Sequence, residues 1–270
     1  MNTMDIFRMP VIKIIRACFI AMLAVCPLGF QQPAMADQLN QEQTALKGKE
    51  HTFGDAFILA LGGKLYDNYF QATDADIAKL QPNPAFPDEL AARTVDTWRC
   101  VSCHGWGYDG AEKSSTSKAQ ASQFVSLRQL EGSEPDEIRV RFNKVHNDHP
   151  IAKYEGLPLN LIMLFLSIGQ VDDNAFAAAE TVSEEHMLRG QNIFEGICMN
   201  CHDPDGKAGL ERRLGEAQSL GWIARNEPKR FLHKVINGVP GQAMVSLRFI
   251  DEAVVVDLIS YIKTLDTSGK

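Results

Sequence analysis

Two pentapeptides carry the chemistry legible in this chain: Cys100-Val101-Ser102-Cys103-His104 and Cys198-Met199-Asn200-Cys201-His202. Thiols three positions apart on one turn can reach the two vinyl groups of one porphyrin, and the imidazole that follows is left facing the iron. Cys-x-x-Cys-His is therefore read as a c-type haem attachment site, with His104 and His202 as proximal ligands. An iron held in this way has one further coordination position, and the question in each half is which side chain fills it.

Other uses of these residue types fit less well. A redox Cys-x-x-Cys usually sits in a βαβ context, and no such alternation is visible. A zinc site pooled from both motifs would need its ligands within a small module, yet the motifs begin 98 residues apart. Two short-range disulfides remain as the plainest alternative, since an even number of cysteines in an exported chain often means a disulfide framework.

Export is expected from the first 36 residues. Arg8, Lys13 and Arg16 precede the apolar run at 17–30, and Ala34-Met35-Ala36 follows it, which is the order of a cleavable signal peptide with cleavage near Ala36. The apolar run has 14 residues, short of the ~20 that cross a bilayer as a helix. Leu23-Ala24-Val25-Cys26 only faintly resembles a lipoprotein processing site, because Val25 is bulky. The expected location is the periplasm, with no integral membrane span. Of the six cysteines, Cys18 and Cys26 leave with this segment, so Cys100, Cys103, Cys198 and Cys201 are all committed to the two motifs.

Removing the leader's three basic residues and one acidic residue from totals of 27 and 34 leaves 24 and 33, a net charge of −9. No basic stripe argues for nucleic acid. An acidic surface serves solubility first, and long-range attraction to a basic partner second.

The elements that must position the motifs can be read on either side of them. Phe53, Phe57, Leu61 and Leu65 recur every four residues, so 52–70 reads as a helix. A stretch at 71–96 with three prolines in LQPNPAFPDEL cannot continue it and reads as an insertion. LPLNLIMLFLSIG at 157–169 reads as a closing helix with Pro158 in its first turn, apolar nearly all round and so buried between the halves. Residues 170–183 read as a linker.

In the second half, Ser183 caps a helix with Glu184 and Glu185 in its first turn, and Met187, Gly190, Phe194 and Ile197 carry it to Cys198. A last helix begins near Asp251 with Val254, Val255, Leu258, Ile262 and Leu265 as its apolar stripe. Tyr261 is expected to pack on Phe194. Lys144-Val145-x-Asn147-x-x-Pro150 matches Lys234-Val235-x-Asn237-x-x-Pro240 and sets a register between the halves.

The chain resembles a di-haem c-type cytochrome built from two class I-like cytochrome c domains, over nearly all of 50–266. The resemblance rests on both Cys-x-x-Cys-His motifs, on Gly190-x-x-x-Phe194-x-x-x-Cys198, and on FLHKVINGVPGQAMVSL at 231–247. It implies an all-α fold of two tandem domains, 50–169 and 184–266, each wrapped around one of two covalently bound haem c groups. One-electron transfer is the activity it implies.

Met244 lies in the loop that in this family closes the far face of the haem. Elimination points the same way: Met199 lies between two cysteines, Met187 on the preceding helix and Met163 in the other half, where core packing accounts for it. The first half departs from the pattern. Four residues beyond Pro150, where Met244 stands relative to Pro240, the residue is Tyr154. The same loop carries His146 and His149, and the order of preference for the sixth ligand is His149, His146, an open iron, then Tyr154. A His/His haem sits at lower potential than a His/Met one, so electrons are expected to run from the first haem to the second.

Trp98 and Trp106 flank the first motif and are read as packing on the haem or supporting its propionates, with plain core packing as an equal alternative. His51, His186 and His233 have no motif placing them at iron and read as surface or supporting residues. The leading functional expectation is an electron carrier between redox partner proteins, a dehydrogenase or quinol-linked donor and an acceptor cytochrome or terminal enzyme. The rival is a di-haem oxidoreductase with an open or labile iron in the first half, peroxidase-like or sulfur-compound dehydrogenase-like. Thiosulfate dehydrogenases of this type hold one iron by a cysteine thiolate, and no spare mature cysteine exists here. A third possibility is an electron-accepting subunit of a larger oxidoreductase, with 71–96 as its docking element.

Overall fold

Residues 53–86, 93–110, 125–153, 156–172, 183–209 and 218–267 are described by a computed structural model. The expected signal segment with its expected cleavage near Ala36, His51, Tyr154 and most of the expected linker at 170–183 lie outside the described residues. Among those described there is no strand, and no helix is long and apolar enough to cross a membrane. The protein is all-α.

Helix α1 spans Phe53–Ala72 and breaks from helical geometry only at Asn68 (φ −155°, ψ 95°). Only part of the four-residue repeat that marks it lies on the buried face: Leu65 is buried and Leu61 half-buried, but Phe57 is 59% exposed, while Ala56, Leu59, Ala60, Tyr66 and Phe70 are buried. The reason is a pair of glycines. A Cβ on Gly62 would collide with the Leu161 carbonyl oxygen and with Phe165, and one on Gly63 would fall on the Asn237 side chain. These two positions let other elements approach the α1 backbone closely, and that approach decides which way the helix faces.

After the short helix α2, Cys100–His104, come α3, Pro135–Val145, and α4, Leu157–Ile168. Helix α4 crosses α1 at Gly62 and buries Leu159, Ile162, Met163, Phe165 and Leu166, which accounts for its near-continuous apolar sequence.

The second half repeats this plan. Helix α5, Glu184–Ile193, is capped by the Ser183 hydroxyl, which accepts from the His186 amide. Its last residues do not run on as α-helix: Phe194–Cys198 form a wide π turn that leads into α6, Met199–His202. Then follow α7, Leu220–Asn226, α8, Pro228–Asn237, and α9, Glu252–Ile262, whose first turn is capped by Asp251. Gly190 admits the backbone of α9 at Asp257, as Gly62 admits that of α4. Phe194 meets Tyr261 at 5.6 Å. The buried Asp257 carboxylate accepts from His186 Nδ1 at 2.8 Å and from Arg189, tying α9 to α5.

One apolar cluster runs through both halves, from Leu65 to Ile262, and the described residues fall in a single compact unit. Polar groups seal the junction. Asp67, fully buried on α1, accepts from Lys234 Nζ on α8 at 2.9 Å and from the Arg99 guanidinium ahead of the first motif. Arg248 donates to the Gly169 carbonyl and to Asn237 Oδ1, both at 2.7 Å.

Candidate functional site: two attachment motifs and a histidine-lined cavity

The two motifs fold alike. Each forms one short helix that ends at its histidine, and the next residue turns to positive φ with extended ψ: Gly105 at 74° and 168°, Asp203 at 58° and 163°. Each histidine's carbonyl then accepts from an amide a few residues on, that of Gly110 at 3.0 Å and that of Ala208 at 3.1 Å.

The same correspondence holds at the imidazoles. His104 Nδ1 lies 2.9 Å from the Val125 carbonyl and His202 Nδ1 lies 3.0 Å from the Ala208 carbonyl. A carbonyl can only accept, so Nδ1 carries the proton in both, and Nε2 is left with a bare lone pair. Fixing the tautomer through a backbone carbonyl is how metal-ligating histidines are oriented.

Beside the first motif lies a cavity of about 660 Å³, within the ~300–1,000 Å³ usual for ligand and cofactor sites. Cys100, Cys103 and His104 form part of its wall, and His146 and His149 are among its other lining residues. Leu130, Ile138, Ile162, Met163 and Leu166 make the lining largely apolar, while Arg141 and Lys144 add positive charge. Met163, expected in the core, is 1% exposed and lines this space as well.

The two candidate histidines are held differently. His149 Nε2 lies 2.9 Å from the Trp98 carbonyl, and its Nδ1 accepts from the Ile151 amide at 3.2 Å, so both ring nitrogens are engaged. Trp98 meets His149 edge-on at 5.1 Å. The ring of His146 is set by ring packing: Phe142 edge-on at 4.9 Å, His104 at 6.0 Å with 21° between planes, and His149 at 6.3 Å. Burial, with His149 and His104 nearby, pushes the His146 pKa down to about 4, which makes it neutral at pH 7.

Burial raises the thiols instead, Cys100 to about 12 and Cys103 and Cys198 to about 11. All four cysteines are unpaired. Zinc ligation and thiol redox catalysis both work through the thiolate, which these surroundings disfavour. A zinc site pooled from the two motifs also fails on placement: among the described residues no three of His, Cys, Asp and Glu come together to hold a metal ion. A haem iron asks only two axial ligands of the protein, and the first motif with its facing histidines offers that number across one cavity.

At the second motif, Cys198 and His202 are half-buried and Cys201 is exposed. Met244 is half-buried on the loop after α8. Gly238 (φ 81°), the Leu247 amide on the Val235 carbonyl (3.0 Å) and the Ser246 hydroxyl on the Ile236 carbonyl (2.6 Å) fix that loop. Cys198, Met199 and Met244 all pack against the shared core.

Behind the motifs lies a polar cluster that sequence reasoning missed. His233 is not a surface residue; it is 1% exposed, donates from Nε2 to the Gly63 carbonyl at 3.0 Å and accepts at Nδ1 from the Tyr108 hydroxyl at 2.8 Å. Burial pushes its pKa down to about 4 against the pull of Asp67. Trp106 meets His233 at 5.2 Å with 59° between the ring planes, and the Arg99 and Lys234 cations lie 5.9 and 5.4 Å from its ring centre. Tyr66 donates to the Gly105 carbonyl at 2.7 Å, so α1 holds the end of the first motif directly. Nothing local in the sequence marks these residues, because their hydrogen-bond partners come from 32 to 170 positions away.

The insertion is likewise anchored. Trp98 Nε1 donates to the Gln81 carbonyl at 2.6 Å, and Asn83 is bonded through its amide and side chain to Thr97. The segment therefore braces the residues leading into Cys100. Comparison with protein-family models, curated proteins and solved structures finds no match to this chain.

Proposed function

We propose that this protein is an exported electron carrier with two covalently bound haem c groups, attached through Cys100 and Cys103 with His104, and through Cys198 and Cys201 with His202. What supports this above all is the equivalence of the two motifs. In each, a one-turn helix ends on a histidine whose Nδ1–H is spent on a backbone carbonyl, leaving Nε2 for iron.

The residues around the first motif fit the group. The cavity is large and mostly apolar, and Arg141 and Lys144 at its lining suit the negative propionates a haem carries. Once bound, haem iron supplies one-electron chemistry, and the protein sets potential and docking. The protein's share here is to present a thioether from Met244 in one half and imidazole in the other. Stronger donation from imidazole places the first site at the lower potential, so electrons pass from it to the second. A cavity wall with two histidines favours a carrier over an enzyme with an open iron.

Donor and acceptor are redox proteins, a dehydrogenase or quinol-linked complex on one side and a cytochrome or terminal enzyme on the other. The net charge of −9 after removal of the leader favours basic docking faces on these partners. The test is intact-mass spectrometry with a pyridine haemochrome assay on protein matured in a host with a working cytochrome assembly system. Two haems per chain are expected, falling to one in Cys100→Ala/Cys103→Ala and one in Cys198→Ala/Cys201→Ala. An unmodified polypeptide mass would remove the reading.

A further inference from the structure

The cavity beside the first motif contains more imidazole than one attachment site requires, and its two spare histidines are not equivalent. We propose that His146, and not His149, supplies the sixth iron ligand in the first half, which makes this a bis-histidine site; the proposal rests on the haem-carrying reading above.

Geometry carries the argument. Two imidazoles on opposite faces of one iron, each with a metal–nitrogen bond of about 2 Å, stand roughly 6 Å apart centre to centre. His104 and His146 are 6.0 Å apart, with their planes within 21° of each other. The tautomer of His104 is fixed with Nε2 bare. Among the described residues no hydrogen bond engages the ring of His146, so nothing has to break before it binds a metal.

His149 is in the opposite condition. Coordination through Nδ1 would cost it the Ile151 amide, and coordination through Nε2 would cost both bonds, because the proton would then move to Nδ1 and face that amide. Those two bonds suit it to brace the stretch leading into Cys100, since Trp98 stands two residues ahead of that cysteine. The supports of His146 are stiffer as well. It caps the C-terminus of α3, its amide bonds the Phe142 carbonyl at 2.7 Å, and Phe142 one turn back sets its ring. A ligand carried on a helix end and locked by an aromatic neighbour is pre-positioned. The register between the halves misleads here, because it aligns His146 with Ile236 on the helix before the Met244 loop. In the first half the ligand comes from the helix end, not from the loop beyond it.

The experiment uses the matured full-length chain after two haems per chain have been confirmed. Wild type should show only low-spin ferric EPR signals. His146→Ala should turn half of the iron high-spin and bind cyanide there at once, ahead of any slow displacement of Met244. His149→Ala should leave both irons low-spin. If His146→Ala matures poorly, His146→Met takes its place and should double the red-edge thioether-to-iron charge-transfer band that Met244 contributes.

The inference is overturned if His146→Ala leaves both irons low-spin, if His149→Ala opens an iron, if wild type already shows a high-spin ferric signal, or if His146→Met adds no thioether band. These results leave the carrier's haem attachment intact. A chain that carries no haem at all would end both proposals together.

Discussion

Asp67 offers the sharpest test of how the two halves are joined. Burial alone would raise the pKa of this carboxyl, but Lys234 and Arg99 outweigh it and hold the value at about 2 instead of 3.8. Its side chain is 0% exposed and the two cations are 15% and 10% exposed, so solvent screening is slight. That depression corresponds to roughly 2 kcal/mol of stability at neutral pH. Asp67→Asn removes the charge and turns an amide donor toward a cationic donor. The expected loss is about 3 kcal/mol, at the low end of what breaking a buried pair costs.

The sign follows from the depressed pKa. The contribution is fully present above the unfolded value of 3.8 and is lost as pH falls through the folded value of about 2. Roughly half of it should remain at about pH 3. Urea unfolding followed by far-UV ellipticity, on wild type and variant in parallel at pH 7, 4 and 3, measures this directly. A loss below about 1 kcal/mol at neutral pH, or a gap between the two proteins that does not narrow toward pH 3, would refute the reasoning.

Gly63→Val should force α1 and α8 apart at Asn237 and cost about 3 kcal/mol. For a unit of this size that is a fall in Tm of about 8 °C, readable by thermal denaturation. On the proposed haem-carrying reading, Met244→Ala should convert the iron of the second half to high-spin and leave that of the first half unchanged, which EPR of the ferric protein resolves. The same reading expects its reduction potential to fall, because a thioether ligand raises the potential of a haem iron.

Much of the scaffold could be read before any coordinates. Ser183, Asp251 and Pro158 marked helix starts that the structure places at Glu184, Glu252 and Leu157, since capping and first-turn preferences are local. The contact of Phe194 with Tyr261 followed from helical spacing on either side of a glycine. The buried face of α1 did not, because Gly62 and Gly63 set it through elements about 100 and 174 positions away. The π turn at Phe194–Cys198 was hidden too, as its residues keep the three- and four-residue spacing of an ordinary helix. His233 looked peripheral because a lone histidine in FLHKV has no local signature of burial. The hydrogen bonds of His149 were equally illegible, and they are what separates it from His146.

The junction described around Asp67, His233 and Arg248 also bears on how the chain could be divided. A cut within 170–183 would strand a buried carboxylate on one fragment and its lysine on the other, and would leave the Gly63 carbonyl and the His233 imidazole each without its mate. Each piece would expose an apolar wall studded with unmatched charge. The two halves depend on one another in this way, and co-expressed fragments should reassemble sooner than either survives alone.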